Sequence, residues 1–257
     1  MILFMLLFGL LSSTHAAPRE ITRAFCHQRL ATPRSLQTLI KNDLHQLARS
    51  NQGGLLNGGV CWWHSRFTRN AAYLARFRPE LPKPSRAEGE ELVMRLRRGE
   101  AIVDIPGYTN LSNFSYDYAD EIQERLEAWQ LSDGVLRFQW VRGLSGTSSV
   151  APAELERGMD DLYRRVQRGE IVYQMMQFDG PLAHAWLVVD MVPTPQGYNF
   201  NVVDSIFAAR TAHSYRRGQR SFTRNGDPFV PYTQHTDEEA RLRELLRREC
   251  REYLRGR

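Results

Sequence analysis

Cysteine and lysine are scarce in this chain, and long apolar runs are almost absent. Only three of 257 residues are cysteine, and a chain of this length and 42% hydrophobic content does not read as a disulfide-held miniprotein. The odd count permits at most one internal bridge and leaves a thiol over. No Cys-x-x-Cys or His-x-x-x-His pair occurs, so a zinc site built on Cys61, His64 and a third ligand lacks the usual tetrahedral spacing. Lysine stands only at Lys41 and Lys83, so arginine carries the formal charge of +5. Those arginines are spread along several helical patterns without interleaved aromatics, which argues against a single-strand nucleic-acid surface. A basic chain remains suited to anionic cell-envelope material. One apolar run approaches membrane-span length, Ile2 to Leu11, and it gives way to Ser-Ser-Thr-His-Ala-Ala after about ten residues, too few to span a bilayer. Residues 1–17 read as a signal peptide cut near Ala16 or Ala17. The mature chain is then expected to be secreted or periplasmic, with no stable membrane insertion.

What is present suffices for a full core. At 42% hydrophobic and 25% charged, residues 18–257 are expected to form one domain, with 18–50 an N-terminal extension and candidate pro-segment. Leu36, Ile40, Leu44 and Leu47 fall at helical spacing after Ser35, and Ser85 with Glu88 forms a capping box before Leu92 and Leu96. Tyr118, Ile122, Leu126 and Trp129 mark a third helix, and Leu155, Met159, Leu162 and Val166 a fourth that stops at Gly169. Thr236 and Glu239 cap a last one carrying Leu242, Leu246, Cys250 and Tyr253. Between these last two the period changes to three β-rich runs, Ile171–Phe178, His184–Val192 and Tyr198–Ile206. Asp179-Gly180-Pro181 and Pro193 to Gly197 read as turns between antiparallel neighbours. The pattern is α+β, a helical N-terminal half followed by a small antiparallel sheet.

Cys26 and Cys250 are terminal, and Cys250 lies on the apolar stripe of the last helix. They are expected to form the bridge, leaving the Cys61 thiol outside it. Behind Cys61, Trp63, Phe67, Leu74 and Phe77 keep helical phase, and Gly58-Gly59 allow a sharp entry. Cys61 should therefore open a helix, where backbone N–H groups and the helix dipole favour a thiolate and can donate to an oxyanion. Such a nucleophile needs a base. If 193–197 form the turn, Val192 pairs with Tyr198, and His184 and Asp204 become diagonal neighbours on one face. His64, three residues after Cys61, is the other candidate base and reads better as a solvated or aromatic-stacked helix residue. Asp190, on the strand of His184, is the reserve partner should Asp204 fail.

Gly-Gly-Val-Cys-Trp-Trp before a helix, then His-Ala-Trp-Leu-Val-Val-Asp, then Tyr-Asn-Phe-Asn-Val-Val-Asp-Ser, resembles the papain-like cysteine peptidase superfamily over roughly residues 52–206. The His and Asp segments are also similar to the transglutaminase-like branch. The resemblance implies a nucleophile at a helix start in a helical lobe packed on a small antiparallel sheet carrying His and Asp. Together with the expected leader it implies an exported hydrolase of peptide or amide bonds, with Cys61 attacking, His184 moving the proton and Asp204 orienting His184. No cofactor or metal is needed. The alternatives are acyl transfer to an amine, or a non-catalytic envelope-binding protein on the same scaffold. Papain-like enzymes commonly carry Gln six positions before the Cys as oxyanion donor. Here Leu55 stands there, so Gln52 and Asn57 become the oxyanion candidates.

Overall fold

The computed structural model describes residues 18–54, 59–133, 148–178, 183–206, 210–224, 227–234 and 236–255. The expected leader, the Asp179 to Pro181 turn and Asn57 lie outside these residues. Among those described, the chain runs α1 (Pro18–Leu30), α2 (Ser35–Ile40), α3 (Cys61–Leu74), β1 (Ala75–Arg78), α4 (Arg86–Arg98), β2 (Val103–Pro106), α5 (Leu111–Asp117) and α6 (Ala119–Leu131). It continues through α7 (Pro152–Gln167), β3 (Val172–Gln177), β4 (Ala183–Thr194), β5 (Gly197–Asp204), β6 (Arg210–Arg216), β7 (Phe222–Arg224), β8 (Asp227–Gln234), α8 (Thr236–Glu249) and α9 (Arg251–Arg255). This is an α+β arrangement. No described helix is long and apolar enough to cross a membrane.

The sheet is larger than expected. Six antiparallel strands follow the order β6-β5-β4-β3-β8-β7. Period-two alternation sends Tyr173, Met175, Ala185 and Leu187 to one face, against α3 and the N-terminal helices. Val172, Met176, Trp186, Val188 and Phe200 go to the other, under Leu155, Met159, Leu162 and Val166 of α7. Both faces are covered, which is why the strands read as nearly continuous apolar runs. β1 and β2 form a separate parallel pair that the sequence pattern did not suggest, and Phe77 stands in β1 instead of continuing α3.

Every residue of α3 is buried, polar ones included. A helix enclosed on all sides must have its polar groups satisfied from neighbouring elements. Ser65 donates to the Ala185 carbonyl at 3.3 Å, Asn70 to the Leu96 carbonyl at 3.1 Å, and Arg66 pairs with Asp133 at 2.6 Å and with Glu238 of α8. At the far end Arg29 of α1 donates to the carbonyls of Ala72 and Ala75 at 2.9 and 2.6 Å. The Ala72 carbonyl is an orphan acceptor in the last turn of α3, and Ala75 is the residue that caps that helix. Burial, helped by nearby Arg76, lowers the Arg29 pKa to about 9.

Local punctuation is partly as read. The Ser85–Glu88 capping box is present, and α4 ends on left-handed Gly99 at φ 65°. The expected helix through Leu36 and Leu47 instead stops at Ile40. Asn42 accepts from the Leu44 N–H and starts a short 3-10 turn, leaving Leu44 exposed. Ser35 accepts from the Thr32 N–H upstream and does not cap α2. Glu239 is no capping side chain either: it is buried, accepting from the Tyr73 hydroxyl and the Ile171 N–H. Cys250 interrupts the last helix, dividing α8 from α9.

Cys26 and Cys250 are bridged, with Cα atoms 5.6 Å apart, both buried in the core with Phe25 and Leu246. Residues 18–50 thus contribute Phe25, Leu36, Ile40 and Leu47 to the main core, and cleavage near residue 50 would leave α1 tethered. Non-reducing peptide mapping is expected to recover 26 and 250 in one linked species with only Cys61 alkylated. The double variant Cys26→Ala/Cys250→Ala should lose about 2–5 kcal/mol of unfolding free energy. A bridge to Cys61, or no loss, would contradict this.

Candidate active site

Cys61 is the first residue of α3, preceded by Val60, whose side chain cannot cap the helix. Gly59 enters at φ +81°, a left-handed conformation costly for any other residue. His184 lies at the head of β4 and Asp204 at the end of β5. Cys61, His184 and Asp204 are 6%, 4% and 4% exposed, so their charges act on one another with little screening by water. His184 hydrogen-bonds both neighbours. Its Nε2–H donates to Asp204 Oδ1 at 2.7 Å, which leaves Nδ1 for the Cys61 sulfur.

The route by which β4 and β5 bring these residues together differs from expectation. The strands continue to Thr194 and Gly197, so the hairpin turns on Pro195-Gln196 alone, and Val192 pairs with Asn199 instead of Tyr198. Carried along the ladder, that offset would set Asp204 opposite Leu187, on the wrong face. A β-bulge between Val188 and Asp190 inserts one residue in β4 and restores the pairing of Trp186 with Asp204.

Asp204 is held by more than His184. Trp186 Nε1–H donates to Oδ2 at 3.2 Å and the Ile206 N–H to Oδ1 at 2.9 Å. The Trp186 ring is fixed in turn by stacking on His213 at 4.2 Å and by the edge of Phe229 at 5.3 Å. Trp186 carried no role in the sequence reading, although its place two residues after His184 puts it on the same face.

Two histidines near Asp204 are driven in opposite directions. Burial would lower the His184 pKa, but charge on the Cys61 sulfur and hydrogen bonds to Asp204 and Cys61 outweigh it, raising the value to about 9. His64 is lowered to about 4 by burial, only partly offset by its bond to the Arg49 carbonyl and by Asp204. It is buried instead of solvated, and its Nε2–H donates to Arg49 O at 3.0 Å. Asp190 pairs with Lys41 at 3.0 Å instead of with a histidine. Gln52 is exposed, and its carbonyl accepts from Gln123 of α6 at 2.9 Å. Among the described residues no group of three His, Cys, Asp or Glu is arranged to hold a metal.

No family model matches the chain, and no curated protein or solved structure matches it at a significant level. At pH 7 His184 should be charged and His64 neutral. Histidine-selective NMR is expected to show one ring titrating near pH 9, assigned by His184→Ala, and another only near pH 4, assigned by His64→Ala. Both titrating near 6.5 would refute the site's electrostatics.

Proposed function

We propose that this chain is an exported thiol hydrolase acting on peptide or amide bonds, with a papain-like arrangement of nucleophile helix and sheet. The observation that carries the reading is His184 hydrogen-bonded at once to Cys61 and Asp204 in a buried site. A leader-like N-terminus and a disulfide support export.

In this mechanism Cys61 Sγ attacks the substrate carbonyl carbon, forming an S–C bond and placing negative charge on the oxygen at the α3 N-terminus. Backbone dipoles there stabilise developing negative charge. His184 already carries its proton and gives it to the departing amine as the C–N bond breaks, leaving a thioester on Cys61. Water then attacks the thioester with His184 as base. The S–C bond breaks, the acid leaves, and the thiolate–imidazolium pair is restored. Asp204 keeps Nε2–H engaged throughout, so the ring presents Nδ1 to the reacting atoms.

A pooled library of peptide amides, read by mass spectrometry for products and for acylated Cys61, tests this. Cys61→Ala should abolish turnover and acylation, and His184→Ala should lower turnover by about 10²- to 10⁴-fold. Asp204→Ala should lose more than Asp204→Asn, because an amide still holds the ring. Turnover by Cys61→Ala at the wild-type rate would overturn the reading. Added amine appearing in the product in place of water would assign the site to acyl transfer.

A further inference from the structure

We propose that Asn51 is a positioning residue of this site, a strut that fixes the start of the nucleophile helix against the peptide that orients Asp204. The inference rests on the thiol-hydrolase reading and adds a residue to it that lies ten positions before the nucleophile in the chain.

Both ends of the strut are hydrogen bonds. Asn51 Oδ1 accepts from the Val60 N–H at 2.5 Å, at the residue immediately before Cys61. The Asn51 N–H donates to the Ser205 carbonyl at 2.6 Å. That carbonyl belongs to the same peptide group as the Ile206 N–H, which donates to Asp204 Oδ1 at 2.9 Å. One planar peptide is thus held by Asn51 on its oxygen side and holds Asp204 on its nitrogen side. Because a peptide group is rigid, displacing one of these bonds tilts the other. Serial hydrogen bonds of this kind also polarise one another.

The surroundings leave Asn51 little freedom. A Cβ on Gly59 would lie 2.3 Å from Asn51 Nδ2 and 2.8 Å from its Oδ1, so the amide occupies the space the glycine vacates. Gly59 is fastened further by its N–H to the Gly53 carbonyl at 2.8 Å and by Gln130 Nε2 donating to its own carbonyl at 3.0 Å. Two residues before Asn51, the Arg49 carbonyl takes the His64 ring N–H at 3.0 Å, one helical turn inside α3. The segment 49–51 therefore grips α3 at two points and the end of β5 at a third. Nucleophile and carboxylate, supplied by elements far apart in the chain, are thereby placed relative to each other.

Asn51→Ala removes the Val60 acceptor while leaving the backbone arm. With the disulfide intact, iodoacetamide is the probe: the rate at which it alkylates Cys61 is followed across pH by peptide mapping. Alongside it, hydrogen exchange at the Val60 amide and thermal unfolding are measured. The expected result is a folded variant with faster exchange at Val60, Cys61 alkylation reduced by about ten- to a hundredfold at neutral pH, and a displaced pH profile. Asn51→Asp, which keeps an acceptor in place, should restore Val60 protection and most of the rate. A folded Asn51→Ala variant with the wild-type rate and profile would overturn the proposal. Where Asn51→Ala is too unstable to purify, Asn51→Asp decides: Val60 protected but the rate lost also overturns it. His184→Ala serves as the separate control, since an unchanged alkylation rate in that variant would refute the thiol-hydrolase reading itself.

Discussion

Three donors among the described residues converge on the Asp204 carboxylate, and the arrangement of the site depends on that convergence. Buried charge is costly unless it is paired and hydrogen-bonded. Here the His184 ring, the Trp186 indole and the Ile206 N–H share two carboxylate oxygens, and the second nitrogen of His184 is turned to Cys61. Removing any member leaves its neighbours buried and under-satisfied. The same water-poor setting opposes charge on His184 but strengthens its interactions with Cys61 and Asp204, and these outweigh the burial penalty.

The scaffold serves to make that setting rigid. α3 is enclosed by helices and sheet, and several of its polar side chains are spent on neighbouring elements: Arg66 on Asp133 and Glu238, Ser65 on β4, Asn70 on the end of α4. Arg29 closes its C-terminus, and the Cys26–Cys250 bridge ties the helix bearing Arg29 to the end of α8. On the opposite sheet face, α7 covers Trp186 and its aromatic neighbours. Arg29, Arg66, Arg69 and Arg165 are thus buried and held by interior partners.

Parts of this were legible in sequence because the physics is local. Gly59 before a helical phase marks Cys61 as a helix start, two terminal cysteines with Cys250 on an apolar stripe mark the bridge, and β-rich runs bounded by turn residues mark β3 to β5. The facing of His184 and Asp204 was also anticipated, but through two offsets that cancel. The turn is tighter than read, shifting the register by one, and the bulge at Val189 shifts it back. A bulge inside a run of valines leaves no compositional trace. The four-residue strands β1 and β2 are too short to show a period, and the helix through Leu44 fails because Asn42 offers a competing cap. Asn51 was illegible for another reason: its partners, Val60 and Ser205, are set by the tertiary fold and by nothing in the surrounding sequence.

A charged imidazole between Cys61 and Asp204 can be seen by neutron diffraction from deuterium-exchanged crystals at neutral pH. Deuterium is expected on both ring nitrogens of His184, with Nε2–D directed at Asp204 Oδ1 and Nδ1–D at the Cys61 sulfur. A neutral ring with one deuterium, or a deuterated Cys61 thiol pointing away from His184, would contradict it.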